Sequence, residues 1–485
     1  MHSTLFCFSR SHESAAPIET AVWARFSPRQ IDALIEPPPI RILLRPPKTA
    51  TFDRGFCASW RWTGWGGYGV LRGVDKKRWD VTVVSPNLYF NFTPLLAGCA
   101  VGTLEFRCAI EPVRKYTPQV VAYQGRCDRI DFEKRIVECT PATPAPALSQ
   151  GPPVPFTLRW DKIVLAAGAY SQTFGVPGVK EHAHFLKDIR DARAIRMRIL
   201  ECFEQAAQPT MSDIDRRHLL NFCIVGGGPT GVEFASELHD LLHAEMAAHY
   251  PVLVKLAKIT LYDVAPSILG SFDRNLVDYA EDRFTREGIS ILTSHHVERV
   301  EAGKMFVKER GEVPFGLLVW STGLAPNPLI ESITEFKKDP RTKSVLTDEN
   351  LNLIRLDGTP DPNVWGIGDC AQIEGAILPA TAQVASQKAK YVVKKVNKLA
   401  KEKTSPEPFK FENQGSLAYI GDWRAIYDSP SQDKDHILSR AETGRVAWLL
   451  WRSAYFTMTL SWRNKILVPM YWFMNWIFGR DITRF

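Results

Sequence analysis

Residues 221–239 read NFCIVGGGPTGVEFASELH, and the fold class turns on them. Asn221 to Val225 form a short apolar run with strand character. Gly226-Gly227-Gly228-Pro229-Thr230-Gly231 is a tight glycine turn, and from Pro229 onward Val232, Ala235, Leu238, Leu241 and Leu242 recur at helical spacing. A G-x-G-x-x-G motif set between a strand and a helix is the context of a dinucleotide site. Gly226 permits the turn, Gly228 lets a pyrophosphate approach the backbone, and Gly231 lets the helix pack close on the strand. The helix start then offers unpaired N–H groups and roughly half a positive charge to the phosphates. A glycine turn without a ligand is the competing reading.

A chain of 485 residues has room for two or three domains and a large core. Its formal net charge of +7 is modest for that length and gives no argument for nucleic acid as a partner. The nine cysteines are scattered, with no C-x-x-C pair. That excludes a zinc ribbon or a thioredoxin-type dithiol, leaves no metal site to propose, and points to reduced thiols. No uncharged apolar run reaches the roughly 18 residues that a membrane-spanning helix needs. Composition gives a soluble α/β class, with attachment to a membrane surface left open.

The first sixty residues show no sustained periodicity. Arg10, Arg25, Arg29, Arg41, Arg45 and Arg54 alternate with Pro37-Pro38-Pro39 and Pro46-Pro47. Glu13, Glu19, Asp32, Glu36 and Asp53 dilute the Arg- and Ser-rich, acid-poor pattern of a mitochondrial presequence. Residues 1–60 therefore read as a tail: extended, a targeting segment, or, through residue 62, a misassembled start. From Thr63 the character changes. Gly64-Trp65-Gly66-Gly67 leads into helical spacing through Val70, Leu71 and Val74, and Trp79 to Val84 is a β-branched strand that ends at Ser85-Pro86. This is the turn, helix and second strand of another dinucleotide unit. Trp62 stands at the place of its first glycine, and Cys57 to Arg61 make a poor buried first strand. A tryptophan in a turn that requires positive φ costs about 1–3 kcal/mol. A glycine loop before a helix is the alternative.

Residues 141–155, PATPAPALSQGPPVP, are a Pro-rich hairpin tip or loop. Asp161 to Ala169 is an apolar strand closing on Gly168, suited to a parallel sheet covered on both faces. Val313 to Thr322 repeats that pattern and closes on Gly323. Residues 181–208 read as one charged amphipathic helix, and the helix after the opening turn extends to about His249. Lys258 to Asp263 is the next strand. Its terminal carboxylate, Asp263, either accepts ribose hydroxyls or caps the strand end. Facing a ribose, it would repel a 2′-phosphate by about 4 kcal/mol per unit pair and favour NADH over NADPH. Asn363 to Asp369 is a strand followed by Gly368-Asp369, where an aspartate can accept a hydrogen bond from a flavin ribitol. Two glycine units, each followed by an apolar strand that ends in glycine, give an α/β fold with two Rossmann-like dinucleotide-binding domains, the second inserted in the first.

In order along the chain, GWGGY, VVSP, YFNFTPLL, AVGTLEFR, IEPVR, FGVPGV, VGGGPTGVEFASEL, WSTG, GIGD and TAQVASQ resemble type II (alternative, rotenone-insensitive) NADH:ubiquinone oxidoreductases of the fungal mitochondrial type. The resemblance covers about residues 63–485. It implies a two-dinucleotide-binding flavoprotein with an FAD domain over 61–180 and 345–410, an NADH domain over 181–344, and a C-terminal membrane-association or dimerisation region over 411–485. It implies non-covalent FAD at Gly64, Gly66, Gly67, Ser85, Pro86, Thr93, Pro94, Leu95, Ala167, Gly168, Gly368, Asp369, Ala382 and Gln383. NADH is expected at Gly226, Gly227, Gly228, Pro229, Thr230, Gly231, Glu233, Asp263, Thr322 and Gly323. The quinone is expected at Gln383, Gln387 and Tyr455. Gln383 and Gln387 are four apart and share one helical face; without the resemblance they are ordinary helix surface. Glu233 either touches the nicotinamide ribose or is a plain first-turn acid. The implied reaction is hydride transfer from NADH to FAD and two-electron reduction of ubiquinone, without proton pumping and with no residue assigned as general acid or base. Asn87 departs from the family, which often has an arginine after Ser-Pro. No EF-hand pattern is present, so no calcium site is expected, and the missing C-x-x-C separates the chain from disulfide reductases.

Val446 to Phe478 carries the membrane argument. Trp448, Trp451, Tyr455, Phe456, Trp462, Tyr471, Trp472, Phe473, Trp476 and Phe478 are interrupted by Arg452, Arg463 and Lys465, the composition of an interfacial helix. Its longest uncharged stretch, Ile466 to Gly479, is too short to span a bilayer. Burial of the same aromatics in a homodimer or against the FAD domain is the alternative. The expected location is the mitochondrial inner membrane, peripherally, on its matrix or intermembrane face. Two rival readings remain: a soluble FAD-dependent NAD(P)H reductase with a protein acceptor, and an FAD-deficient inactive relative.

Overall fold

The computed structural model describes residues 55–59 (as backbone), 64–143, 152–403, 407–429, 442–459 and 461–483. Expectations for residues 1–54, for Trp62 and for most of the Pro-rich tip lie outside the described residues. In chain order, β1 (Gly55–Ser59) leads to α1 (Trp65–Gly73), β2 (Asp80–Ser85), β3 (Val121–Asp131), β4 (Ile136–Pro141), β5 (Phe156–Arg159) and β6 (Lys162–Leu165). β1 lies between β2 and β6, parallel to both, with Cys57 opposite Thr82 on one side and Ile163 on the other. The expectation of a missing first strand is thereby corrected, and the first sheet starts at residue 55 rather than 61. GFCAS lacks the large β-branched residues that mark a strand. A central strand, however, gains ladder hydrogen bonds along both edges, and that pairing outweighs local preference.

The second unit holds α2 (Ile189–Ala206), β7 (Asn221–Val225), α3 (Pro229–Leu241), β8 (Lys258–Tyr262), α4 (Arg274–Arg286), β9 (Ser290–Leu292) and β10 (Leu317–Trp320). The single helix expected over 181–208 is corrected: a helical turn at Val179–His182 and a strand at His184–Phe185 precede α2. A capping box sets the start, with Asp188 accepting from the Arg190 amide and Asp191 reaching back to the Asp188 amide at 2.8 Å. The strand expected over 313–322 also divides. Gly311–Pro314 pairs antiparallel with Lys304–Val307, while β10 joins the parallel sheet beside β7. Gly316 lies between them, where a Cβ would stand 1.7 Å from the Leu219 carbonyl oxygen.

The chain then returns to the first sheet through β11 (Pro360–Gly366) and α5 (Ala382–Leu399), whose start is capped by Thr381 accepting from the Val384 amide. Across the larger sheet the strands run Ala371–Ile373, Val345–Thr347, Asn352–Ile354, β11, β6, β1, β2, β3, β4, β5. The smaller sheet runs His184–Phe185, β10, β7, β8, β9. Its centre repeats the plan of the first, with β7 between β8 and β10 and parallel to both. Ile163 to Leu165 and Phe222 to Ile224 are fully buried, as strands covered on both faces require. Each such aliphatic or aromatic side chain contributes about 1.5–3 kcal/mol.

The C-terminal region is an antiparallel sheet of β12 (Ser416–Tyr419), β13 (Ala425–Asp428) and β14 (Glu442–Thr443), followed by α6 (Gly444–Met458) and α7 (Trp462–Phe478). Arg452 ties it together. Its guanidinium carbon lies 4.4 Å from the ring centre of Trp448, 4.2 Å from Trp472 and 5.3 Å from Trp423, a cation–π contact with both helices and the hairpin turn. On the outer side Trp462, Ile466, Phe473, Trp476, Ile477 and Phe478 are exposed. Among the described residues no helix is long and apolar enough to cross a membrane. Seven of the cysteines have described side chains, and all seven are buried.

Candidate functional site

The carboxyl ends of the two parallel sheets open onto one cavity of about 910 Å³. Gly64, Gly66 and Gly67 of the first glycine turn line it, with Thr93, Gly168, Gly368, Asp369 and Ala382. The second unit contributes Thr230, Thr322 and Gly323 to the same wall. Ligand sites in open α/β sheets form in this position, outside the carboxyl ends of the strands.

The glycines show what the cavity is shaped to admit. Gly226 has φ +116°, and a Cβ on Gly231 would stand 1.9 Å from the Gly226 carbonyl oxygen. Both are imposed by the backbone of the turn. Gly228 is different: it has ordinary extended angles, φ −73° and ψ 176°, and a Cβ there would meet nothing within 4 Å. The protein itself does not need glycine at that position, which fits a phosphate approaching from the cavity side. Of the turn residues Thr230 lines the cavity, while Gly226, Gly227, Gly228, Pro229 and Gly231 stand behind it. Asp263 directly follows β8, its carboxylate accepting from the amide of Gly227 and, at 2.7 Å, from that of Ala265. It braces the glycine turn as a strand-end cap, at the place where a ribose carboxylate is expected.

In the first unit Gly64 caps α1 with φ −83° and ψ 174°, nearly the angles of Gly228. Asn91, which lines the cavity, is buried and leaves its Oδ1 without a hydrogen-bond partner, and the Ser85 hydroxyl at the end of β2 is likewise buried and unsatisfied. The orphaned Asn91 oxygen at the cavity wall fits a polar ligand such as a dinucleotide. Ser85, Pro86 and Ala167 lie outside the cavity lining; Ala167 is buried, its carbonyl accepting from Asn327 at 3.3 Å. Trp65 does line it, and donates to Thr93 Oγ1 at 3.1 Å.

Several of the expected contact residues have other partners. Glu233 neither faces the cavity nor lies exposed at the first turn. It is buried under the C-terminal region, accepting from the Tyr419 amide at 3.3 Å and the Trp451 indole at 3.2 Å. Burial pushes its carboxyl up to about 8. Pro94 and Leu95 accompany it in a small second cavity with Glu237, Tyr419 and Trp472, rather than lining the large one. Gln387 has both ends of its amide engaged, donating to the Glu412 carbonyl at 2.8 Å and accepting from the Glu412 amide at 3.0 Å. The Gln383 carbonyl accepts from the Gln414 amide at 3.3 Å. The two glutamines clasp the segment entering β12. Tyr455 stacks edge-on with Trp451, ring centres 4.8 Å apart, and approaches Phe92 at 6.4 Å. It therefore belongs with Glu233 and Trp451.

Sequence reasoning missed Asn91, Tyr419, Trp451 and Arg190. Arg190 donates to Asn87 Oδ1 at 2.9 Å at the cavity edge. The aromatic density of residues 446–478 was the available signal for Trp451; nothing in the sequence placed β12 against α3.

The chain matches the family model described as pyridine nucleotide-disulphide oxidoreductase over residues 63–389, and the NDH2 C-terminal domain over residues 413–481. It is 39% identical over 428 residues to a probable NADH dehydrogenase of Dictyostelium discoideum, covering 87% of this chain and 90% of that one. It is 36% identical to an internal alternative NAD(P)H-ubiquinone oxidoreductase A1, mitochondrial, of Solanum tuberosum (87% and 86% covered). Against the external alternative NADH-ubiquinone oxidoreductase, mitochondrial, of Yarrowia lipolytica it is again 36% identical (87% and 79% covered). Among solved structures, NDH2 from Plasmodium falciparum in complex with NADH shares the fold with a TM-score of 0.77 at 24% identity, over 89% of this chain and 99% of that one. With two nucleotide units around one cavity and an NDH2-type C-terminal region, the chain belongs to the type II NADH dehydrogenase family.

Proposed function

We propose that this protein oxidises NADH and reduces ubiquinone through bound FAD, without pumping protons, as a peripheral enzyme at the mitochondrial inner membrane. The single observation that carries it is the shared cavity, which joins the glycine turn of one unit to the strand end and helix start of the other. Relatives that align with 87% of this chain bear the names of NADH-ubiquinone oxidoreductases and of mitochondrial proteins.

When bound, FAD supplies hydride acceptance from NADH and two-electron delivery to a quinone. Gly64, Gly66, Gly67, Gly168, Gly368 and Asp369 would hold it, with Ala382 at the start of α5 lining the same cavity. Gly228 and Thr230 leave the approach for the NADH phosphates, and Asp263 fixes the turn that makes it. Glu233, neutral at pH 7 by burial, sits with Trp451 and Tyr455 at the junction of α3 and the C-terminal region, where it can hold a proton for quinone reduction. Trp462, Trp476 and Phe478 on the outer side would seat α7 among lipid headgroups, which brings an apolar quinone to that junction.

The test is flavin absorbance of the purified protein, followed by NADH oxidation with a short-chain quinone against ferredoxin, with and without liposomes. Quinone-dependent turnover that rises with liposomes is expected. A colourless protein that takes up no FAD, or activity with ferredoxin alone, overturns the reading.

A further inference from the structure

Helix α5 buries two lysines seven residues apart on one face, and they are equipped differently. Lys395 donates to the Asn350 carbonyl at 3.2 Å and to Asn352 Oδ1 at 2.6 Å, an ordinary satisfied arrangement for a buried ammonium. Lys388 is only 2% exposed and has one hydrogen bond among the described residues, from its ammonium to the Ala371 carbonyl at 3.0 Å. It has no ion pair within 4 Å among them. Instead its side chain lines a small cavity of about 20 Å³, room for one water. Gly368, Asp369, Ala380, Thr381 and Ala385 wall that cavity, and the same five residues wall the large one. A buried cation with two spare donors is costly unless negative charge arrives nearby.

Hydride transfer moves two electrons and one proton from NADH to the flavin, leaving NAD⁺ and a reduced ring with one negative charge more than before. The amino end of α5 already favours negative charge on that side of the wall. We propose that Lys388 is a positioning cation that stabilises the reduced, negatively charged flavin ring across the shared wall, and so sets its reduction potential. The inference rests on the reading that the large cavity holds FAD. No bond to the lysine forms or breaks, and the spare donors stay available to a water in the small cavity. Burial lowers its ammonium to about 8. Asp369 and Cys370, on the turn after β11, are the titratable groups that face it; the strand at Ala371–Ile373 and the loop at 378–381 present neutral groups.

The test is the midpoint potential of FAD in the full-length holoprotein, measured against reference dyes. Lys388→Met should bind reduced FAD at least tenfold less favourably relative to oxidised FAD, a fall of about 30 mV for a two-electron couple. Lys388→Arg, which keeps the charge, should restore most of that fall. Equal potentials in Lys388→Met and wild type overturn the proposal. So does equal weakening of oxidised and reduced FAD, which would place the lysine against a phosphate instead. Should Lys388→Met fail to retain FAD, the wild type decides. Its potential should fall more steeply with pH above about 8, by one proton per two electrons, about 30 mV per pH unit; a line without that break overturns the proposal. A wild-type protein that binds no FAD breaks the functional reading itself, before this question arises.

Discussion

Helices α1 and α3 begin alike, each capped by a glycine in extended conformation, Gly64 and Gly228. Counting from those caps, Gly66, Gly69 and Gly73 of α1 correspond to Thr230, Glu233 and Glu237 of α3. Spacings of three and four put each trio on one helical face. In α1 the face packs on α5 and on the end of β11. A Cβ at Gly69 would lie 3.0 Å from the Ala389 Cβ, one at Gly73 2.7 Å from Val393 Cγ1, and one at Gly66 3.1 Å from Ile367 Cδ1. In α3 Thr230 faces the cavity, while the two glutamates are buried under the C-terminal region. Glu237 accepts from the Thr103 hydroxyl at 2.6 Å and lies 3.6 Å from Arg480. The same nucleotide-binding plan thus supports close helix packing in one unit and a polar joint in the other. What stands opposite the helix decides which residues its face must carry.

The sharpest break of the comparison is Gly231→Ala, because the added Cβ meets backbone at 1.9 Å and backbone cannot step aside. We expect NADH oxidation to vanish and stability to fall by about 3 kcal/mol or more. Gly228→Ala is its control, keeping the melting temperature while raising the KM for NADH about tenfold; a matching loss of stability in both would show that Gly228 also serves the fold. Next in size is Glu233→Gln. An acid whose folded value is raised keeps its proton when the unfolded chain has released it, so wild-type stability falls as pH climbs from about 4.5 to about 8. The glutamine variant lacks that fall, and its stability advantage should grow over this window to the order of a few kcal/mol. Parallel pH profiles in thermal denaturation would sink the assignment of a buried neutral Glu233.

Gly69→Ala tests the other face. The neighbour at 3.0 Å is a methyl carbon on a rigid helix, so α1 and α5 must separate slightly, at about 1–3 kcal/mol. Weakened FAD retention in equilibrium dialysis is the readout, and unchanged retention would show that the two helices have slack. The smallest effect belongs to Gln387→Ala. Losing the two bonds to Glu412 should lower stability by about 1–2 kcal/mol and leave the quinone KM unchanged; a large rise in that KM would return Gln387 to the quinone site.

Periodicity and glycine spacing made the centre of the second nucleotide unit, β7, the turn and α3, legible, since G-x-G-x-x-G between an apolar strand and a helix is a local pattern with a local physical cause. The first unit was legible from Gly64 onward. Its strand β1 was not, because GFCAS earns its place through hydrogen bonds to β2 and β6, from residues 80 and 162 onward in the chain. The interruption of the long amphipathic pattern at 181–208 was within reach, since Asp188 and Asp191 have capping-box spacing.

The sequence by itself determined the α/β class, the two nucleotide units, the glycine turn between β7 and α3, and the aromatic C-terminal face. Each depends on residues close together in the chain. Only the tertiary structure decided where Glu233, Gln387 and Lys388 point. Glu233 is turned to Tyr419 and Trp451 by the docking of β12 and α6 on α3, and Gln387 is taken up by the Glu412 backbone. Lys388 is set against the cavity wall by its bond to the Ala371 carbonyl. Those partners lie between 17 and 218 residues away, a separation over which no local pattern reports contact. Side-chain type is a property of the sequence, but a buried group's partner, and hence its charge, is fixed only when distant segments pack.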